Sequence, residues 1–222
     1  MTIATLITRV DAAEVVRDQI AQLLADESAA QQALATAAAE NPELWRLRVY
    51  RERSTPWETF TGEAPIVDTA PVINVMYQGS DFPDATGGAV DCQTGEATYN
   101  IDCYGYGASS SDGGAGQVLG DEQAALAVQR ATRLVRSVLM AGEYTYLGLR
   151  GTVFRRWVES VRVFQPEERQ DAVYRVVGAR VVLGVRLQEL SPQVEGVTLE
   201  SLGVELRRAS DGQVLASATY SV

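Results

Sequence analysis

The sequence predicts an α+β fold: an antiparallel or mixed β-sheet with a long β-hairpin, packed by two to three helices on one face. Three observations predict it. From Val173 to Glu189, Arg175, Val177, Ala179, Val181, Leu183, Val185 and Leu187 fall on one side of a period-two pattern, and six of the seven are apolar. At roughly 3.3 Å per residue such a strand spans about 50 Å. From Asp121 to Ala141, residues Ala124, Val128, Ala131, Val135 and Val138 recur at helical spacing. Near the N-terminus, Asp11 and Glu14 make a capping box that opens another helix.

Taken in order, the first helix carries Ala13, Val16, Ile20, Leu23 and Leu24 on one stripe. The alanine- and glutamine-rich stretch from Ser28 to Glu40 either continues it or forms a second helix, and Pro42 ends it. Trp45 to Phe60 reads as strand, with Pro56 pointing to a sheet edge or a turn. Pro71 to Gln78 is a short apolar strand bounded by Gly79, and Gly79 to Gly88 a loop. Gly95 to Gly107 is the next strand, with Ala97, Tyr99, Ile101 and Cys103 on one face and a turn expected at Thr94-Gly95. Gly105 to Gly120 has the composition of a flexible loop.

Asp121 is the expected N-cap of the second major helix, and Gly142 its C′ residue. Trp157 to Phe164 alternates and pairs with the long strand, the polar turn Pro166 to Asp171 lying between them. Gly178 and Gly184 within the long strand mark a bend, a bulge or a close approach. Beyond Pro192, two alternating runs around Asp211-Gly212 form a second hairpin. The chain therefore divides into a body, residues 1–190, and a C-terminal β-hairpin appendage, residues 191–222.

Composition narrows the chemistry. The chain has 222 residues and a formal charge of −10, with no basic footprint for non-specific contact with nucleic acid or anionic membrane. It has no histidine and no lysine, so all 19 basic residues are arginine. Histidine-based acid–base and triad chemistry, Schiff-base lysines and a Walker lysine are all absent. The glycine- and serine-rich loop before Asp121 thus lacks what phosphate binding requires. Cys92 and Cys103 cannot complete a zinc site, and both are expected as free thiols. No basic region followed by a long apolar run opens the chain, and no window suits a membrane span, so neither a signal peptide nor a transmembrane helix is expected.

Asp81, Asp84, Asp91, Asp102, Glu159 and Glu189 are the carboxylates in or beside strands and loops; a solvated surface is their ordinary role, and a carboxylate-based metal-dependent hydrolase the alternative. No cofactor and no catalytic residue is assigned. Arg155, Arg156, Arg162, Arg175, Arg180 and Arg186, with Trp157, cluster on the long hairpin. In an acidic chain they read as one half of a charge-complementary interface between like subunits. Charge reversal at Arg180 or Arg186 is then expected to weaken assembly more than folding, and the Pro166–Asp171 end to project toward a neighbour.

The order of elements carries a resemblance. An Asp11-Ala-Ala-Glu-Val-Val-Arg-Asp-Gln-Ile helix precedes the Pro71-Val-Ile-Asn-Val strand; a strand ending Asn100-Ile-Asp-Cys-Tyr-Gly-Tyr follows, then the arginine-rich helix and the strand closing Val-Arg-Leu-Gln-Glu189. Over residues 5–190 this resembles the tail terminator (tail completion) proteins of long-tailed bacteriophages, especially those with contractile tails. The resemblance implies a non-enzymatic virion protein, assembled in the host cytoplasm, that forms a hexameric ring. The ring would cap the tail tube, stop its polymerisation and offer a surface to the head connector. Its implied partners are further copies of itself, the tail tube protein, the tail sheath protein and the connector or neck proteins. The alternatives are another neck or head-completion protein and, outside that class, the hydrolase or a small-molecule binding domain.

Overall fold

The computed structural model describes residues 10–61, 68–83, 92–108, 120–166, 174–190, 201–207 and 214–221; the last two ranges, with Thr61, Cys92, Tyr174, Arg175 and Leu190, are described by backbone alone. The order of elements is α1 (Ala12–Ala37), β1 (Arg48–Arg51), α2 (Glu58–Thr61), β2 (Val72–Asp81), β3 (Cys92–Ala108), α3 (Gly120–Met140), β4 (Val153–Phe164), β5 (Tyr174–Leu190), β6 (Ser201–Arg207) and β7 (Val214–Ser221). Five strands make one mixed sheet in the order β1-β2-β3-β5-β4, in which only β1 and β2 run parallel. β6 and β7 form a two-stranded antiparallel sheet of their own.

The alternation of β3 and β5 determines what each face of the sheet buries. Ala97, Tyr99, Ile101 and Cys103 of β3 join Val181, Leu183, Val185 and Leu187 of β5 in the main core, against Val16, Ile20 and Leu24 of α1 and Ala131, Val135 and Leu139 of α3. The helix-side face of β3 ends in Gly105 and Gly107, where an added Cβ would lie 2.5 Å from the Ala124 carbonyl oxygen and 2.0 Å from that of Gly120. These glycines let the start of α3 lie directly on the strand. Burial pushes the Cys103 thiol up to about 12, so it stays neutral and inert in this core.

α1 is a single helix through the alanine-rich stretch, for a reason visible at Ser28. Its buried hydroxyl donates to the Trp45 carbonyl (2.8 Å) and accepts from the Leu47 amide (3.0 Å), tying the second half of the helix to the chain returning after Pro42. Asp11 caps the helix by accepting from the Ala13 amide at 2.8 Å.

Several expected boundaries are corrected. Strand structure in the Trp45–Phe60 stretch is limited to β1, an edge strand. Glu52 (φ +50°) turns the chain into the left-handed region there, and the following residues lead into the short turn α2. α2 packs on the face opposite the long helices, where Phe60 meets Val72, Tyr104, Tyr106 and Val176. β2 passes through Gly79 by a bulge and continues to Asp81. β3 runs straight through Thr94-Gly95, paired with β5 there, so no turn forms. It also takes in Gly105 to Ala108, which read as loop. α3 starts at Gly120, one residue before the expected cap. Gly142 does not adopt positive φ; it opens a 3₁₀ turn, Gly142–Tyr144, and the left-handed glycines are Gly148 and Gly151.

Candidate assembly surface

The face of the sheet opposite the long helices carries the arginines singled out above. Two rows cross it at right angles to the strands. In one, Arg162 of β4 stands opposite Arg180 of β5, which stands opposite Asp102 of β3. In the other, Arg155, Arg186 and Glu96 occupy the same strands in the same sense. Each row holds two arginines and one acid, and like charges directly opposite each other repel.

The acid neutralises the inner arginine of each row. Arg180 donates to both oxygens of Asp102, Nε to Oδ1 at 2.7 Å and an Nη to Oδ2 at 2.8 Å. The Asp102 side chain is 1% exposed and also accepts from the Tyr104 hydroxyl at 3.2 Å. Hydrogen bonding to the Asp102 carboxylate raises the Arg180 guanidinium above its usual range, against the opposing effect of burial. Burial of the Tyr104 phenol, with Asp102 beside it, raises that group as well. Arg186 pairs with Glu96 nearer the solvent.

The outer arginines are left over. Arg162 and Arg155 are exposed and have no ion pair among the described residues; Arg155 lies over the Trp157 ring, 5.5 Å from its centroid. Glu159, exposed at a β4 bulge, stands over Gly184 on this face and likewise pairs with neither.

The aromatic residues of β4 meet the glycines of β5. Trp157 is in register with Gly184 and Phe164 with Gly178, and an added Cβ on either glycine would lie within 2.7 Å of the ring. Gly178 and Gly184 are therefore close approaches of ring to backbone. Phe164 also stacks edge-on to Tyr104 and lies under the Arg180 guanidinium.

Arg156 points to the other side of the sheet. It donates to the carbonyls of Leu139, Ala141 and Thr145, which are the last acceptors of α3 and the turn after it. A cation there satisfies carbonyls left free at the helix end and complements the helix dipole. Burial lowers its guanidinium from the usual arginine range.

The seven residues of the predicted cluster thus separate. Arg180, Arg186, Arg156 and Trp157 make contacts within the subunit, and Arg155 and Arg162 present free charge at the edge strand. The side chain of Arg175 lies outside the described residues. So does the turn after Pro166, which is itself buried. Sequence reasoning missed Asp102 and Glu96 as partners and the exposed apolar residues of β4: Phe154, Val161 and Val163.

Among the described residues a groove of about 440 Å³ beside α3 is lined by residues that include Trp45, Arg130, Arg133 and Tyr144. Among the described residues no three Cys, Asp or Glu side chains converge as a metal-binding group, and no helix is long and apolar enough to cross a membrane.

No protein-family model matches the chain, and no curated protein matches it. Among solved structures it is similar to a chain from the "Virion of native gene transfer agent (GTA) particle". The two are 13% identical with a TM-score of 0.35, over 64% of this chain and 78% of that one. A likeness this loose carries no argument about function.

Proposed function

We propose that this is a virion structural protein of the tail terminator kind, which acts by self-association into a ring, hexameric by resemblance, that caps a tail tube. The observation that carries the self-association is the uncompensated pair Arg155 and Arg162 on the edge strand of a chain whose formal charge is −10. Two free guanidiniums on an otherwise acidic molecule favour contact with the acidic surface of a like subunit, and arginine is the cation suited to bidentate carboxylate pairing there. The tube, sheath and neck partners follow from the resemblance over residues 5–190.

Light scattering after size-exclusion chromatography tests the reading. The chain is expected to run at a multiple of its 24.0 kDa mass. Arg155→Glu with Arg162→Glu is expected to move it to the monomer with an unchanged thermal melt. Added to elongating tail tubes, the wild-type chain is expected to fix their length, which a neck adaptor would not do. A monomer at every concentration that binds no tube overturns the proposal.

A further inference from the structure

We infer that the two edges of the five-stranded sheet are complementary halves of one contact, in which Arg155 on the β4 edge of one copy pairs with Asp81 on the β2 edge of the next. The inference rests on the self-association proposed above and names the acid that a free guanidinium meets.

The row of charges that holds Arg155 continues one strand beyond β3. Asp81 of β2 stands opposite Glu96, Glu96 opposite Arg186, and Arg186 opposite Arg155. From β2 to β4 the row is two carboxylates followed by two guanidiniums, and the inner two pair with each other. Asp81 and Arg155 stand at its ends, both exposed, and neither has an ion pair among the described residues. Each also has a like charge directly beside it, Glu96 for Asp81 and Arg186 for Arg155, which is destabilising in a sheet. A second copy set edge to edge places a cation beyond Asp81 and an anion beyond Arg155, and relieves both.

Both edges are open at this end of the sheet. β1 covers β2 only from Val72 to Val75 and the chain turns away at Glu52, so from Gly79 to Asp81 the one strand partner of β2 among the described residues is β3. Around Arg155 the one strand partner of β4 is β5. Register shifts at Tyr77/Gly79 and at Val153/Arg155 break the regular ladder on both edges, so the contact is one of side chains and adds no strand to the sheet. Exposed aromatic residues flank the two charges, Tyr77 and Phe82 on the β2 side and Phe154 on β4. They supply the apolar burial that a lone surface ion pair lacks.

Strand direction points to a second copy of the chain as the partner. β2 and β5 run one way and β3 and β4 the other. The β4 of one copy therefore lies antiparallel to the β2 of the next with neither copy inverted, as between neighbours within the sheet. Because the two edges differ, the contact is head-to-tail, the kind that closes a ring when its rotation permits. The row that holds Arg162 ends differently: through Arg180 and Asp102 it reaches Asn74, with Tyr50 of β1 beyond, and no acid stands at that end. Of the two free guanidiniums, Arg155 is thus the one that the opposite edge matches in charge.

The test uses full chains and charge reversal at the two exposed positions. Arg155→Glu and Asp81→Arg each bring like charges together at every contact, and each is expected to raise the concentration needed for assembly at least about tenfold, read by light scattering. Neither is expected to lower the melting point of the monomer, because each reversal sets opposite charges side by side within its own sheet, Glu beside Arg186 or Arg beside Glu96. The double variant Asp81→Arg with Arg155→Glu restores opposite charges across the contact and is expected to assemble as the wild type does. If either single reversal leaves assembly unchanged, or if the double variant assembles no better than the single ones, Arg155 and Asp81 do not meet; the inference then falls and the ring proposal stands. If the wild-type chain is itself a monomer at every concentration, the ring proposal falls and takes the inference with it.

Discussion

The two faces of the β3–β5 pair are built from alternating residues of the same strands, yet they solve opposite problems. Toward the helices, Ile101, Cys103, Val181, Leu183 and Val185 are buried and apolar, and the face is held by volume. Away from them, Tyr104, Tyr106 and Val176 pack under Phe60 at one end, and the rest of that face is held by the Asp102–Arg180 and Glu96–Arg186 pairs and by glycines covered by aromatic rings. Volume is tolerant of which apolar side chain supplies it, whereas a charge pair fails when either member is lost. The helix face therefore holds the larger core, and the exposed part of the opposite face is where substitutions separate folding from assembly.

The largest difference is expected between neighbours on one strand. Leu183→Ala empties a site closed on all sides and is expected to cost about 2–5 kcal/mol. Val182→Ala, one residue along and half-buried on the other face, removes two partly covered carbons and is expected to cost about 1 kcal/mol. Urea denaturation followed by circular dichroism measures both. Equal costs would mean that the two faces are packed alike, contrary to the comparison.

Next in size is Arg180→Ala, which leaves the Asp102 carboxylate buried without its counter-ion. Breaking a fully buried pair costs about 3–5 kcal/mol; Arg180 is 40% exposed, so roughly 2–3 kcal/mol is expected here. Asp102→Asn placed on top of Arg180→Ala is expected to recover part of that loss by removing the stranded charge. A double variant no more stable than Arg180→Ala alone would show that the contact of the guanidinium with the Phe164 ring, and not the pairing with Asp102, is what was lost. A charge reversal at Arg180 therefore perturbs the fold as well as any contact between subunits, and Arg155 and Arg162 are the positions where reversal is expected to test assembly alone.

The pairing of Arg180 with Asp102 is not legible in the sequence. The period-two runs of β3 and β5 and the apolar stripe of α3 are local signals, and each element stands where its pattern put it. Which residue of β3 faces which residue of β5 is a non-local matter. Asp102 and Arg180 are 78 positions apart, and only the register of the assembled sheet brings them together. Reading the β4–β5 hairpin alone, Arg180, Arg186, Arg155 and Arg162 look equivalent, and only their partners on β3 show that two are compensated. The strand expected to reach Phe60 stops at Arg51 because the chain turns at Glu52. The Glu52 carboxylate accepts from the Tyr77 amide, a contact from the turn after β1 to β2 that no window around residue 52 contains. The continuation of α1 through its alanines depended likewise on Ser28 meeting a segment 17 residues downstream.

The smallest effect expected comes from the other charge pair, which makes it the sharper test of what burial contributes. Arg186–Glu96 repeats Arg180–Asp102 on the same two strands, six residues further along β5, with the same residue class on each strand. What differs is solvent: the Arg186 and Glu96 side chains are 46% and 38% exposed, against an almost fully enclosed Asp102. Pairs in water contribute about 0–1 kcal/mol and weaken as salt screens them. Arg186→Ala is thus expected to cost under about 1 kcal/mol, and raising sodium chloride to about 1 M, where the Debye length falls to about 3 Å, is expected to remove most of that cost. The cost of Arg180→Ala should survive the same salt, because ions do not reach a carboxylate closed off by Tyr104 and the sheet. If both costs fall together with salt, the two pairs are equivalent, and the distinction between an arginine that folds the subunit and one at its surface does not hold on this face.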